Sequence, residues 1–383
     1  MTTRCTAHLD HTNPSPRPRT LVAAILAVAL PALVYLGILL ARYDGGPYLR
    51  GDCQYYYFTA ISLWADGDLD LENQLPPPIT RHSADVALDR RGRLVPKHPI
   101  WLALAAQPVI ITFGAPGALL FNVAQLLLLL FLTYRLATRW ASPAAAATSV
   151  AATGIASFIP HYVWNFSPDL FISLLLVAAL LILTMEPESS PVLAAIAGLL
   201  MGFAGLSKFP AFLAVPGVPL LVHRETRSRL LFFGAGLAMA IALGGLLNLH
   251  LFGSPLTTSY DRIAVIHSDS VGLHTHRGDF DLPIWQGIRG QLLDSQHGLL
   301  LTSPITLLSL LGLPALARRD RRAALYVAGT SLAIFLFFSV YRLWSSSHFG
   351  NRFLFPLVIL AALPLAAGVD RVAVWWRARR TSN

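Results

Sequence analysis

Charge is scarce in this chain. Only 13% of its 383 residues are Asp, Glu, Lys or Arg, against roughly 25% in a soluble domain, which excludes an ordinary water-soluble globule. Cysteine is nearly absent: Cys5 and Cys53 lie in dissimilar regions and suggest no disulfide framework. No glycine-rich phosphate loop of the Walker A type occurs, which argues against a cytoplasmic NTP-driven step. A large soluble nucleotide-binding region is missing too, and no internal repeat is visible. What the chain has instead is apolar bulk, with 55% hydrophobic residues and a mean hydropathy of +0.57. That content excludes disorder, and its grouping into long runs is the pattern of a polytopic all-α membrane protein.

Ten runs can cross a hydrocarbon core of roughly 30 Å, some only if tilted or bent: 20–41, 115–134, 143–160, 168–185, 192–207, 209–222, 229–250, 299–316, 323–341 and 353–370. Stretches such as Leu126–Leu130 do not alternate with polar residues, which excludes barrel strands. Basic residues orient the bundle. With the N-terminus inside, Arg17 and Arg19, Arg135 and Arg139, Arg224, Arg227 and Arg229, Arg318 to Arg322 and Arg377 to Arg380 all fall on the cytoplasmic side. The net charge of +9 is then a topology signal and a contact for anionic lipid, not a nucleic-acid surface. The expected organisation is a cytoplasmic tail over 1–19, read as leading into a retained signal anchor, a polytopic unit over 20–370, and a basic cytoplasmic tail over 371–383. Cys5, His8 and His11 could bind a metal, but a disordered tail explains them without a rigid fourth ligand.

Two outer segments are long, 42–114 and 251–298, and long loops in compact proteins usually carry function. In the first, Gly51-Asp52-Cys53-Gln54-Tyr55 leads into a helix with Phe58, Ile61 and Trp64 at helical spacing, expected at the membrane interface. Asp52 is either a helix cap or a carboxylate placed to take a proton from an acceptor hydroxyl. Asp66, Asp68, Asp70 and Glu72 fit a solvated turn better than a calcium loop, because the glycine is misplaced and the terminal glutamate missing. The apolar stretch after Lys97-His98-Pro99 is too short for an ordinary span and reads as re-entrant or interfacial. Asp169, after Pro168, is a cap or a functional acid at a span mouth. Lys208 snorkels to the interface or meets an anion. His274 and His276 with Asp279 and Asp281 have an unspecific metal spacing, and no metal is assigned. Arg342, Arg352, His348 and the hydroxyls of Ser345 to Ser347 in the last outer segment suit phosphate oxygens, or Trp344 and the arginines simply anchor the segment at the interface.

Taken in order, these pieces resemble the bacterial GT-C membrane glycosyltransferases, the superfamily of protein O-mannosyltransferases and lipid A aminoarabinose transferases. The matching motifs are Gly51-Asp52 with its aromatic helix, Asp66-Gly67-Asp68-Leu69-Asp70-Leu71-Glu72-Asn73 and Lys97-His98-Pro99. Ser167-Pro168-Asp169, Gly205-Leu206-Ser207-Lys208, Phe252-Gly253-Ser254-Pro255 with Tyr260, His297-Gly298-Leu299-Leu300 and Phe349-Gly350-Asn351-Arg352 follow. The resemblance implies a polyprenyl-phosphate-linked sugar donor used on the extracytoplasmic face of a bacterial inner membrane, with membrane lipids as surroundings and no cofactor. It implies Asp52 as the base and Asp169 as a positioning acid. Lys208, Arg342 and Arg352 would neutralise the leaving phosphate, and Tyr55, Lys97, His98, Tyr260, His297, Trp344 and His348 would line the substrate site. Relatives commonly carry Asp-Glu-Pro where this chain has Asp52-Cys53-Gln54, so the second acid is missing. A transporter or lipid flippase is the competing reading; it calls for ionisable residues within spans and for internal repeats. A catalytically inactive scaffold of the same fold is the third.

Overall fold

The computed structural model describes residues 18–42, 49, 51–185, 190–222, 227–346 and 349–381. Cys5, His8, His11 and His348 lie outside them. Among the described residues, sixteen α-helical segments and four short strands follow one another. They are α1 (Pro18–Arg42), α2 (Asp52–Ala65), β1 (Val86–Leu88), β2 (Leu94–Pro96), α3 (Trp101–Phe113), α4 (Ala115–Ala137), α5 (Pro143–Ile155), α6 (Pro168–Leu183) and α7 (Pro191–Ser207). After them come α8 (Val218–Leu221), α9 (Arg227–Phe252), β3 (Ile263–Ile266), β4 (Val271–His274), α10 (Ile284–Leu293) and α11 (Leu299–Thr302). The chain ends with α12 (Pro304–Leu308), α13 (Leu313–Arg319), α14 (Arg321–Ser339), α15 (Phe355–Leu360) and α16 (Ala362–Thr381).

Helix starts follow from local chemistry. Pro143, Pro168 and Pro191 open α5, α6 and α7, where a missing N–H costs nothing. The hydroxyl of Ser190 accepts from the Val192 N–H at 3.2 Å, and Asp320 accepts from Arg322 and Ala323 at the start of α14. Five helical stretches among the described residues are long and apolar enough to cross a bilayer: Leu21–Ala41, Ala115–Ala137, Ser228–Phe252, Arg321–Ser339 and Arg352–Arg380. Shorter apolar helices cover Trp101–Phe113, Pro168–Leu183 and Pro191–Ser207. This is an integral membrane protein, but not ten continuous helices. The expected runs 209–222 and 299–316 are broken into single turns, because Pro210, Pro216, Pro219, Pro304 and Pro314 interrupt the backbone hydrogen-bond ladder. The run 143–160 ends as α-helix at Ile155, and α16 runs on past residue 370 to Thr381.

The helices assemble by close approach. Glycines let α7 and α9 touch: a Cβ on Gly198 would stand 1.9 Å from the Phe233 carbonyl oxygen, and one on Gly236 would stand 1.9 Å from that of Ala195. Small residues at such contacts replace the hydrophobic drive that lipid removes. Gly198→Ala should therefore destabilise the protein by about 1–3 kcal/mol, although alanine favours an isolated helix by up to ~1 kcal/mol. Thermal melting in detergent checks this, and an unchanged or raised midpoint would disprove the contact.

Bundle polarity can be traced from contacts. Arg229 at the start of α9 donates to the Ile182 carbonyl at the end of α6 (3.2 Å). The Trp140 indole donates to Asp320 at 3.1 Å, and Arg319 pairs with Asp370 at 2.6 Å. These contacts gather basic helix ends at one end of the bundle. At the other, α9 finishes beside the first outer segment, where the Arg90 N–H donates to the Leu251 carbonyl at 2.8 Å.

That outer end holds an element absent from the all-α expectation, a four-stranded sheet in the order β2-β1-β3-β4 with every pair antiparallel. β1 and β2 form a hairpin whose turn is tied by Asp89, which accepts from the N–H groups of Arg91 (2.7 Å) and Arg93 (2.9 Å). Gly92 supplies the positive φ of 82° that the turn needs. β3 and β4 come from the second long segment, so the sheet stitches the two outer loops together. α2 lies between this sheet and α3. Its Cys53, Tyr56 and Ala60 pack on Leu102, Ala103 and Ala106, while Tyr55 packs with Leu71, Val86 and Ala264. The face expected to lie in the interface is thus partly covered by protein, although Trp64 stays 64% exposed.

Candidate active site

Asp52 opens α2 directly after Gly51, whose φ of 55° turns the chain sharply into the helix. Asp52 is not the cap residue. Its carboxylate faces outward from the helix start, with Oδ2 at 2.9 Å from the Arg352 guanidinium and Oδ1 at 3.3 Å from His98 Nε2. Burial opposes its charge, but His98, Arg352 and Lys97 together hold the carboxyl well below the ordinary carboxylate range.

His98 arrives by way of the sheet. β2 ends at Pro96, and the Ser259 hydroxyl donates to the Lys97 carbonyl at 2.6 Å, which places Tyr260 beside the imidazole. Nδ1 of His98 and the Tyr260 hydroxyl are 3.3 Å apart. The ring also lies against Tyr56, with centroids 5.3 Å apart. Burial lowers the His98 pKa below its usual 6.5 and outweighs the Asp52 charge.

The second acid sits one layer deeper. Asp169 is fully buried near the start of α6, accepting from Ser167 at 3.3 Å and from the Lys208 ammonium. Lys208 follows the last residue of α7 and lies 4.2 Å from the centroid of the Phe353 ring. Arg352 approaches the same ring at 5.2 Å. Lys208 therefore meets a carboxylate and an aromatic face and does not snorkel, and the Asp169 side chain is an ion-pair partner. Asp52, His98, Tyr260, Arg352, Lys208 and Asp169 form one contiguous polar cluster at the helix ends beside the sheet.

Two buried atoms of this cluster lack hydrogen bonds among the described residues, Nε2 of His98 and Nε of Arg352. His98 Nε2 is near Asp52 but not aligned with it. Buried polar atoms are nearly always satisfied, so these two are the cluster's open hydrogen-bonding positions. Beside His98 and Tyr260 a cleft opens between Trp101, Leu206, Phe209, Leu247 and Leu251. Of the cluster, His98 and Tyr260 border it, and Leu206 of α7 and Leu247 of α9 form its apolar side.

Other expected site residues go elsewhere. Tyr55 points to the sheet side, 2.8 Å from His82 Nδ1 and 3.3 Å from Asp85. Lys97 donates to the Ala84 carbonyl at 2.7 Å and pairs with Asp85 at 3.2 Å, bracing the loop beneath His98. Arg342 is exposed and forks onto Asp281, Nε to Oδ1 at 2.9 Å, so it does not join Lys208 and Arg352. His297 pairs with Asp294 at 3.0 Å and sets its ring edge-on to Trp344, just after α10. The acidic run behaves as a turn: Asp66 accepts from Asn73, Asp68 from Asp70 and Asp70 from Glu72. His274, His276 and Asp279 do offer ligand atoms within 4.8 Å of one another, an arrangement that could hold a cation. Asp281 is committed to Arg342.

Sequence reasoning passed over Tyr56, Phe353 and Asn165. Asn165 accepts from the Cys53 thiol at 2.6 Å and so ties the start of α2 to the segment leading into α6. Burial, followed by the Asp52 charge, pushes this thiol up to about 12, so Cys53 is a hydrogen-bond donor and no nucleophile. Only its adjacency to Asp52 could have flagged it.

Sequence comparison finds no matching family model and no matching curated protein. Structural comparison finds the fold. The chain is similar to ArnT from Cupriavidus metallidurans, solved bound to undecaprenyl phosphate, at 17% identity and a TM-score of 0.53, over 92% of this chain and 60% of that one. It is also similar to the archaeal oligosaccharyltransferase AglB from Archaeoglobus fulgidus, solved with an inhibitory peptide and a dolichol-phosphate, at 12% identity and a TM-score of 0.56, over 96% and 52% of the two chains. This chain thus spans between half and two thirds of the length of those proteins. At these identities the likeness is one of fold: a polytopic helical membrane architecture shared with two enzymes solved with polyprenyl phosphates.

Proposed function

We propose that this protein is a membrane glycosyltransferase that moves a sugar from a polyprenyl-phosphate donor to an acceptor on the extracytoplasmic face of a bacterial plasma membrane, with inversion at the anomeric carbon. One observation carries the reading most: a carboxylate, Asp52, pairs with Arg352, which shares the Phe353 ring with Lys208, where apolar helices end and His98 and Tyr260 border a cleft lined by apolar residues.

The chemistry asks for this arrangement. Breaking the bond between anomeric carbon and phosphate builds positive charge on the sugar and negative charge on the departing oxygens. Fixed cations in a dry site lower that barrier, and the unsatisfied Nε–H of Arg352 is a donor free for a phosphate oxygen. Asp52, beside Arg352, accepts the proton of the attacking hydroxyl. Lys208 reinforces the positive field, and Asp169 fixes the ammonium in place. The cleft between α7 and α9 would take the start of the isoprenoid chain, and the two neighbours solved with undecaprenyl phosphate and dolichol-phosphate support that class of donor.

The test is direct. Purified full-length protein in detergent, given a panel of labelled undecaprenyl-phosphate-linked hexoses and pentoses with an envelope glycolipid extract, should release undecaprenyl phosphate from at least one donor. Lipid translocation in proteoliposomes with no glycosyl product would replace the enzyme with a flippase. Active turnover would remove the inactive-scaffold reading that the missing second acid invites.

A further inference from the structure

Asp52 poses a difficulty as a terminal proton acceptor. Arg352 lies 2.9 Å from one of its oxygens, and a carboxylate so paired binds a proton weakly. A stronger base is within reach. His98 is buried, its Nε2 stands 3.3 Å from Asp52 Oδ1 and has no hydrogen bond among the described residues. Its other nitrogen, Nδ1, already faces the Tyr260 hydroxyl at 3.3 Å.

We propose that the proton drawn from the acceptor hydroxyl comes to rest on His98 Nε2, with Asp52 as the collecting group and Tyr260 as the partner that steadies the resulting imidazolium. This rests on the glycosyltransferase reading and deepens it. Before reaction the imidazole is neutral, its proton on Nδ1 beside the Tyr260 oxygen, and its Nε2, without a proton, stands 3.3 Å from Asp52 Oδ1. The acceptor O–H breaks and its oxygen bonds to the anomeric carbon, while the carbon–phosphate oxygen bond breaks and takes its electron pair to the leaving group. The proton passes through Asp52 to Nε2. The donor phosphodiester carried one negative charge and the released monoester carries two; the new imidazolium balances the difference. Asp52 ends ionised, flanked by Arg352 and by imidazolium.

The groups facing His98 fit this use. Asp52 and Tyr56 come from α2, Lys97 from its own loop, Tyr260 from the turn before β3, and Arg352 from the turn before α15, with Lys208 and Asp169 behind Arg352. Burial together with the two nearby cations keeps the resting ring neutral, its pKa below 6.5, and the fixed carboxylate favours the charged form once the proton arrives. His98 is a positioning residue for the proton, since it acts through Asp52.

The experiment is the pH dependence of undecaprenyl phosphate release by full-length wild type, His98→Gln and Tyr260→Phe. A His98 protonated in advance cannot accept, so wild-type kcat should fall as the pH drops through a limb lying below 6.5. His98→Gln should lower kcat on the order of 100-fold, move the acid limb into or below the carboxylate range and leave the donor KM nearly unchanged. A merely structural histidine would leave the limb where it was. Tyr260→Phe, which loses one hydroxyl, should shift the limb to lower pH; if His98→Gln does not fold, this variant decides. An unmoved limb in the variant that folds overturns the proposal. A wild type that releases nothing from any donor overturns the glycosyltransferase reading itself, and this proposal with it.

Discussion

Asp52→Asn should reduce turnover by about 10²–10⁴-fold, the range expected when a positioned acid–base group is removed. The replacement keeps the volume and one carbonyl oxygen, and Gly51 still sets the turn with its φ of 55°, so the start of α2 should survive. What changes is charge. The Arg352 guanidinium, now 2.9 Å from a carboxylate, would face a neutral amide and be freer to hold phosphate. Donor binding should therefore stay the same or tighten while kcat collapses, the mark of an interaction made in the transition state. If Asp52 served only to anchor Arg352, the variant would instead lose donor affinity and melt earlier with kcat retained. Donor KM, kcat and the melting temperature separate the two cases, and a fully active Asp52→Asn protein would remove Asp52 from the chemistry.

The sequence carried more of the bundle than of the outer end, for physical reasons. Long apolar helices such as Ala115–Ala137 and Ser228–Phe252 announce themselves through hydropathy. Runs such as 209–222 have similar hydropathy, but closely spaced prolines break them, and hydropathy does not register a lost N–H. The sheet was illegible because three-residue strands such as Val86–Leu88 are too short to show alternation, and their pairing with β3 joins residues far apart in sequence. In the cluster, Asp52, Asp169, Lys208 and Arg352 stand out because ionisable groups at span mouths are expensive. Arg342 looked equivalent to Arg352 ten residues away. Its side chain is 58% exposed and held by Asp281, a partner that only the fold of the second outer segment supplies. Tyr56 and Phe353 were hidden by their chemistry, since an aromatic beside a site looks in sequence like any other core residue.

The Asp169–Lys208 pair should matter to stability chiefly when one member is removed. Asp169 is completely buried, and its partner Lys208 retains 18% side-chain exposure. Such a pair is paid for in desolvation and gives back less than its geometry suggests, so its net contribution against an apolar pair is small. Removing one member is different, because it leaves the other charge uncompensated. Asp169→Ala should therefore cost about 3–5 kcal/mol, and Lys208→Met a comparable amount. The double variant should recover most of that loss, because no orphan charge remains. A double-mutant cycle measured by melting in detergent gives the coupling directly, and single variants that each cost under about 1 kcal/mol would show the pair to be solvated. Activity should not follow stability. With Lys208 gone, the field beside Arg352 is halved in fixed cations, and the Phe353 ring that both cations approach, at 4.2 and 5.2 Å, keeps only one. A folded double variant with little turnover would assign Lys208 to transition-state charge and Asp169 to holding it there. A folded double variant with full turnover would make the pair structural and leave the phosphate to Arg352.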